Sequence, residues 1–179
     1  MAEPASALSA EASAFMDKLF DARGGTLLAF AQVEWFLAKI ILEAKEFEQY
    51  QGIDLSFSQD AEKRASKVEA LLDVKGPFTP YADKLRSSLD EVMNFVELRG
   101  FAAHGLLVRP EPDNFSLSSP IHFRMFRMFK GGELIEGKLN LTMKQYTDQQ
   151  TALSTAARKF VAVVRKMWVE LELKQLEPE

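Results

Sequence analysis

The sequence contains no cysteine. That one absence rules out a disulfide framework, a thiolate zinc site and a cysteine nucleophile, and it fits a reducing compartment. Histidine is nearly as scarce: His104 and His122 are the only two, and they fall in elements of different type, a weak basis for a metal centre. No glycine loop that would cradle a phosphate, no helical zinc-binding motif and no serine in a nucleophile-elbow context is present. Most enzyme classes therefore lose their usual support, and neither metal nor cofactor is expected.

Positive charge is also short, with 22 Lys and Arg against 26 Asp and Glu, a formal net charge of −4 and a pI of about 5.4. No global field draws such a chain onto nucleic acid, so any contact of that kind must come from a local patch. The apolar runs are broken by Glu34, Lys39 and Glu43, which leaves them short of a membrane span. The opening MAEPASALSAEASAFMDK has neither a basic start nor a long apolar stretch, so no secretory signal is expected. These features together point to a cytoplasmic protein that does not enter a membrane.

What is present is the material of one globular domain covering residues 1–179, with 47% hydrophobic and 27% charged residues and 14 Phe to fill a core. Leu8, Ala12, Phe15 and Leu19 predict a first helix over about Ala7 to Ala22, stopped by Gly24 and Gly25. A second, from about Thr26 to Phe47, is apolar nearly all round: Leu27, Phe30, Leu37 and Ile41 make one stripe, Val33, Phe36, Ile40 and Ala44 the next. A third is expected over about Ser58 to Val74, ended by Gly76-Pro77. Thr79 with Pro80 opens a fourth that carries Leu85, Leu89, Val92 and Val96 on one face and ends near Gly105.

The period then changes. Leu106 to Val108 reads as a strand, and Ile121 to Phe129 and Glu133 to Leu141 as a hairpin about Gly131-Gly132. In the first hairpin strand the apolar register shifts from Ile121, Phe123 and Met125 to Phe126 and Met128, which a β-bulge near Met125-Phe126 would reconcile. Thr142-Met-Lys-Gln145 has the form of a capping box and opens a last helix to about Leu173. The expected fold is mainly α: a bundle of about five helices with a small antiparallel hairpin or sheet, about residues 106–141, inserted before the last helix.

Two charges sit in apolar stripes. Glu34 falls in the series Phe30, Glu34, Leu37, Ile41, and Arg99 continues Leu85, Leu89, Val92, Val96. A buried charge needs a partner, so Glu34 and Arg99 are expected to meet, either as a structural salt bridge or as part of a site. His104 follows Arg99 by five residues, about 140° round a continuous helix, and would flank the same pocket only if the last turn unwinds. It is the side chain best suited to moving protons near neutral pH, and equally a natural cap for a helix C-terminus.

The stretch Val96-Glu-Leu-Arg99-Gly-Phe-Ala-Ala-His104-Gly105 resembles the Arg-x(4–6)-His signature of HEPN domains, small helical bundles found in toxins, defence systems and RNA-processing proteins. The likeness in organisation extends from about Gly25 to Leu173. It implies a homodimer that cleaves RNA without metal, Arg99 binding phosphate and His104 acting as acid and base on a ribose 2′-hydroxyl. It also implies an antitoxin or other protein partner. Glu34 is an added candidate, orienting Arg99. Active members carry Asn, Asp or His after the arginine, where this chain has Gly100. A second reading is therefore a non-catalytic interaction domain in which Glu34, Arg99 and His104 form a structural polar network. In the hairpin, His122, Arg124, Arg127 and Lys130 interleave with Phe123, Phe126 and Phe129. This pattern suits single-stranded RNA as well as the wet face of a half-buried sheet.

Overall fold

The computed structural model describes residues 9–108, 115–128 and 132–173, apart from the side chains of 127 and 128. It is mainly α, with five α-helices among the described residues and a three-stranded antiparallel sheet before the last of them. The helices are α1 (Ala10–Ala44), α2 (Ala61–Leu72), α3 (Ala82–Met93), α4 (Val96–His104) and α5 (Met143–Glu170); the strands are β1 (Leu106–Val108), β2 (Pro120–Met128) and β3 (Leu134–Thr142). The chain divides into two compact units, Met1–Leu27 with Glu97–Thr151, and Leu28–Val96 with Ala152–Glu179.

Two helix boundaries differ from those expected. Gly24 and Gly25 do not end a helix but lie inside the 35-residue α1. A Cβ at Gly25 would come within 2.6 Å of Gln150 Nε2, the far end of a flexible side chain that can move aside. The expected fourth helix is in turn divided at Asn94-Phe95. There the Phe95 amide bonds three residues back, to Val92 O, and closes α3 with a tightened turn. Thr79 does not cap α3 either, because its hydroxyl accepts from the Gly76 amide upstream at 2.8 Å.

By length and composition α1 could cross a membrane, its most apolar 18-residue window averaging a hydropathy of 1.5. This departs from the expected break at Glu34, Lys39 and Glu43, and follows from the helix running through both glycines. Of that window 44% is buried in the protein.

In the unit Leu28–Val96 with Ala152–Glu179, the core is built from Phe30, Val33, Leu37 and Ile40 of α1, Val68 and Leu71 of α2, Leu85, Leu89 and Val92 of α3, and Phe160 and Val164 of α5. These repeat at helical spacing, so each helix buries one stripe. A ring cluster closes one end: Tyr50 stacks on Phe78 with centroids 5.1 Å apart and accepts from the Phe78 amide at 2.9 Å.

In the other unit the sheet runs in the order β1-β2-β3. Pro120 pairs with Thr142, and the register continues without interruption to Met128 opposite Leu134. There is thus no bulge at Met125-Phe126. Ile121, Phe123 and Met125 stay buried, and Phe126 simply faces out, 67% exposed. Gly132 in the connecting turn has a φ of +83°, a conformation open to glycine; Gly131 lies outside the described residues. The capping box forms as expected: Thr142 N donates to Gln145 Oε1 at 2.7 Å, and Gln145 N to Thr142 Oγ1 at 3.1 Å.

Candidate nucleic-acid interface

Arg99 and His104 both lie on α4, which remains α-helical to its end. The Gly105 amide bonds to Phe101 O at 2.9 Å, four residues back, so the last turn does not unwind. On an unbroken helix the two side chains then leave the axis about 140° apart. Leu98, Phe101 and Ala102 face the core, Arg99 is half-buried and His104 is exposed. Gly105 is held to its type by sterics, because a Cβ there would run into the Phe101 carbonyl oxygen.

The end of α4 is fixed by a residue that sequence patterns do not single out. Arg23 of α1 donates from Nε to Ala102 O at 2.5 Å and from Nη2 to Gly105 O at 3.3 Å. It thereby places a cation where the helix dipole is negative. Tyr146 is fully buried, and no close hydrogen bond satisfies its hydroxyl, which interacts with the Thr26 hydroxyl. Burial pushes this phenol above its ordinary pKa, while Thr26 and the Arg23 charge partly offset the rise. Thr26 commits its own hydroxyl hydrogen to Ala22 O at 2.9 Å.

Glu34 belongs to the other unit. Its Oε2 accepts from Arg64 Nη2 at 2.8 Å, so the counter-charge expected from Arg99 comes from Arg64, on α2. Asp60 caps that helix, accepting from the Glu62 and Lys63 amides, and so sets Arg64 one turn in, facing α1. The Arg64 side chain also meets Gln59 O at 3.4 Å and the Phe57 ring at 5.9 Å, while its Nε is buried without a partner. Glu34 is thus built into a core ion pair.

The sheet brings together residues far apart in sequence. In an antiparallel ladder, directly opposed residues share a face. His122 stands opposite Val108 and Asn140, Arg124 opposite Leu106 and Lys138, and Phe126 opposite Glu136. All project from the face turned away from Ile121, Phe123 and Met125. His122 Nδ1 lies 2.7 Å from Asn140 Oδ1. An amide oxygen only accepts, so Nδ1 is the donor of this hydrogen bond.

Glu136 lies 3.6 Å from both Arg124 and Lys138, whose side chains stay more than half exposed. Contacts this long and wet hold the cations loosely. Val108, His122, Phe123, Arg124, Lys138 and Asn140 line a hollow of about 200 Å³. Lys138 and Asn140 join the candidate set, and only the strand register shows it. Arg127 of β2 pairs with Ile135 of β3, and Lys130 lies outside the described residues.

Among the described residues no group of three His, Asp or Glu side chains is placed to hold a metal ion. No protein-family model, curated protein or solved structure matches the chain.

Proposed function

We propose that this chain is an RNA-binding helical domain of HEPN-like type that works in the cytoplasm and contacts single-stranded RNA through the exposed face of its sheet. The observation that carries the reading is the cross-strand set His122, Arg124, Phe126, Lys138 and Asn140 on one open face. Arg124 and Lys138 supply phosphate contacts, the exposed Phe126 ring supplies a stacking platform, and His122 Nε2 with the Asn140 amide offers hydrogen bonds to base edges. With two cations engaged, affinity should be modest and fall with salt at a log–log slope of about −1.4, from about −0.7 per phosphate contact on a single strand.

Fluorescence anisotropy with labelled single-stranded RNA tests this. Arg124→Glu with Lys138→Glu should abolish binding and Phe126→Ala should weaken it, while Lys159→Glu, in the other unit, should leave it unchanged. Equal binding by all four proteins would end the proposal.

A second reading, a metal-independent endoribonuclease with an antitoxin or similar protein partner, draws support from the exposure of His104 alone. Arg99 leaves α4 on another face, so one copy does not converge the pair on a single bond, and cleavage would need groups from a second copy. Incubation with mixed RNA in EDTA decides it. Cleavage to 2′,3′-cyclic phosphate ends, lost in His104→Ala, would establish the nuclease. Intact RNA leaves the domain a binder.

A further inference from the structure

On the open face of the sheet two rungs lie side by side. One carries Val108, His122 and Asn140, the next Leu106, Arg124 and Lys138. Same-face residues two apart on a strand stand about 6.8 Å from each other. A flat ring held between two flat groups needs about 7 Å, twice a contact distance of about 3.5 Å. His122 and Arg124 are the planar pair at that spacing, and unpaired bases stack on imidazole and guanidinium planes alike. The hollow that they line with Val108, Lys138 and Asn140, about 200 Å³, has room for a single base. We propose that this slot takes a guanine, and that Asn140 selects it. The inference rests on the RNA reading above and adds to it the base that the face prefers.

Two steps lead to guanine. Stacking between His122 and Arg124 grows with ring overlap, which favours the two-ring purines over the pyrimidines. The choice between purines falls to the carboxamide of Asn140, directly opposite His122 on β3. An asparagine selects adenine by using both of its ends, the nitrogen donating to N7 and the oxygen accepting from N6. Here the oxygen already accepts from His122 Nδ1 at 2.7 Å, so an adenine amino group would have to share it. Guanine asks only for donors. Its N7 and O6 are neighbouring acceptors, and the two hydrogens on Asn140 Nδ2 suit them.

Charge points the same way. Arg124 and Lys138 flank the slot with more than half of each side chain exposed. A cationic rim favours a base edge with two acceptors over one that carries an amino group. Neither cation has to leave its phosphate, because Arg124 stacks through its plane and donates from its rim.

Fluorescence anisotropy on short labelled oligouridylates that differ in one central base tests this, the central base being U, C, A, G, inosine or 7-deazaguanine. Guanine and inosine share N7 and O6 and should bind at least about tenfold more tightly than adenine. The 7-deaza base lacks N7 and should fall back toward adenine. His122→Phe retains a stacking plane and releases the Asn140 oxygen, so its preference should move from guanine to adenine. Misfolding or lost phosphate contacts would weaken every oligonucleotide alike and would not produce that reversal. Equal binding of all six by the wild-type chain would overturn the slot and leave the RNA reading standing, while binding of none would overturn both. A guanine preference unchanged in His122→Phe would overturn the assignment to Asn140.

Discussion

Arg64 Nη2 lies 2.8 Å from Glu34 Oε2, tying α2 to α1, with only 9% and 17% of the two side chains exposed. Removing the carboxylate would strand a guanidinium whose Nε already lacks a partner. Glu34→Ala should therefore cost about 3–5 kcal/mol in urea unfolding, whereas Glu34→Leu with Arg64→Met should recover most of that loss. A loss under about 1 kcal/mol in the single variant would show that water reaches the pair freely.

Arg23 holds the last carbonyls of α4. Arg23→Met keeps the aliphatic stem and deletes the charged donors. Expected is a loss of about 1.5–3 kcal/mol and faster hydrogen exchange at the Gly105 amide, which closes that helix. Lys18→Met, an exposed change on the same helix, should do neither.

Tyr146→Phe should change stability by no more than about 1 kcal/mol, since the buried hydroxyl it deletes makes no close hydrogen bond and only a weak interaction with Thr26. It should also alter the alkaline limb. Burial raises the pKa of the folded phenol, so the unfolded chain gives up its proton first. Stability is then intact below about pH 10 and falls as pH climbs beyond it, less steeply in the Phe variant. Thermal melts from pH 8 to 11 read both effects.

Asp54 contributes to the acid limb. Its carboxylate accepts from Lys67 Nζ at 2.9 Å and from the Ser56 amide, and the Lys67 bond above all holds its pKa well below the carboxylate range. The folded state therefore keeps the charge after the unfolded state has lost it. The contribution is present above about pH 4 and disappears as pH falls through the lower folded value. Asp54→Asn should lower the melting temperature at pH 7, and the difference should close on acidification; a constant offset from pH 7 to 2 would contradict the assignment.

Much of the architecture was legible because it rests on local rules. Thr142 and Gln145 name their own capping box, Asp60 caps α2 within the expected stretch, and the change of period after Gly105 marks the sheet. What escaped depends on partners distant in sequence. Gly24-Gly25 has the chemistry of a helix stop, yet α1 runs through both. Phe126 looked like a shifted register because an exposed aromatic and a buried one read alike. Glu34 sits in a stripe that demands a cation, but a stripe does not say which helix supplies it. The outer face of the sheet became a set only when β3 placed Lys138 and Asn140 beside Arg124 and His122.

Thr142 has two duties: its backbone is the last rung opposite Pro120, and its side chain starts α5. The next two amides, of Met143 and Lys144, bond to Ser119 O and Leu117 O in the turn that leads into β2. A hairpin slipped by one residue would turn its apolar face outward and also leave the start of α5 without its acceptors. The junction therefore works as a proofreading step, in which a wrongly threaded strand cannot be sealed by its helix. Strand and helix amides on either side of Thr142 should accordingly gain protection together during refolding.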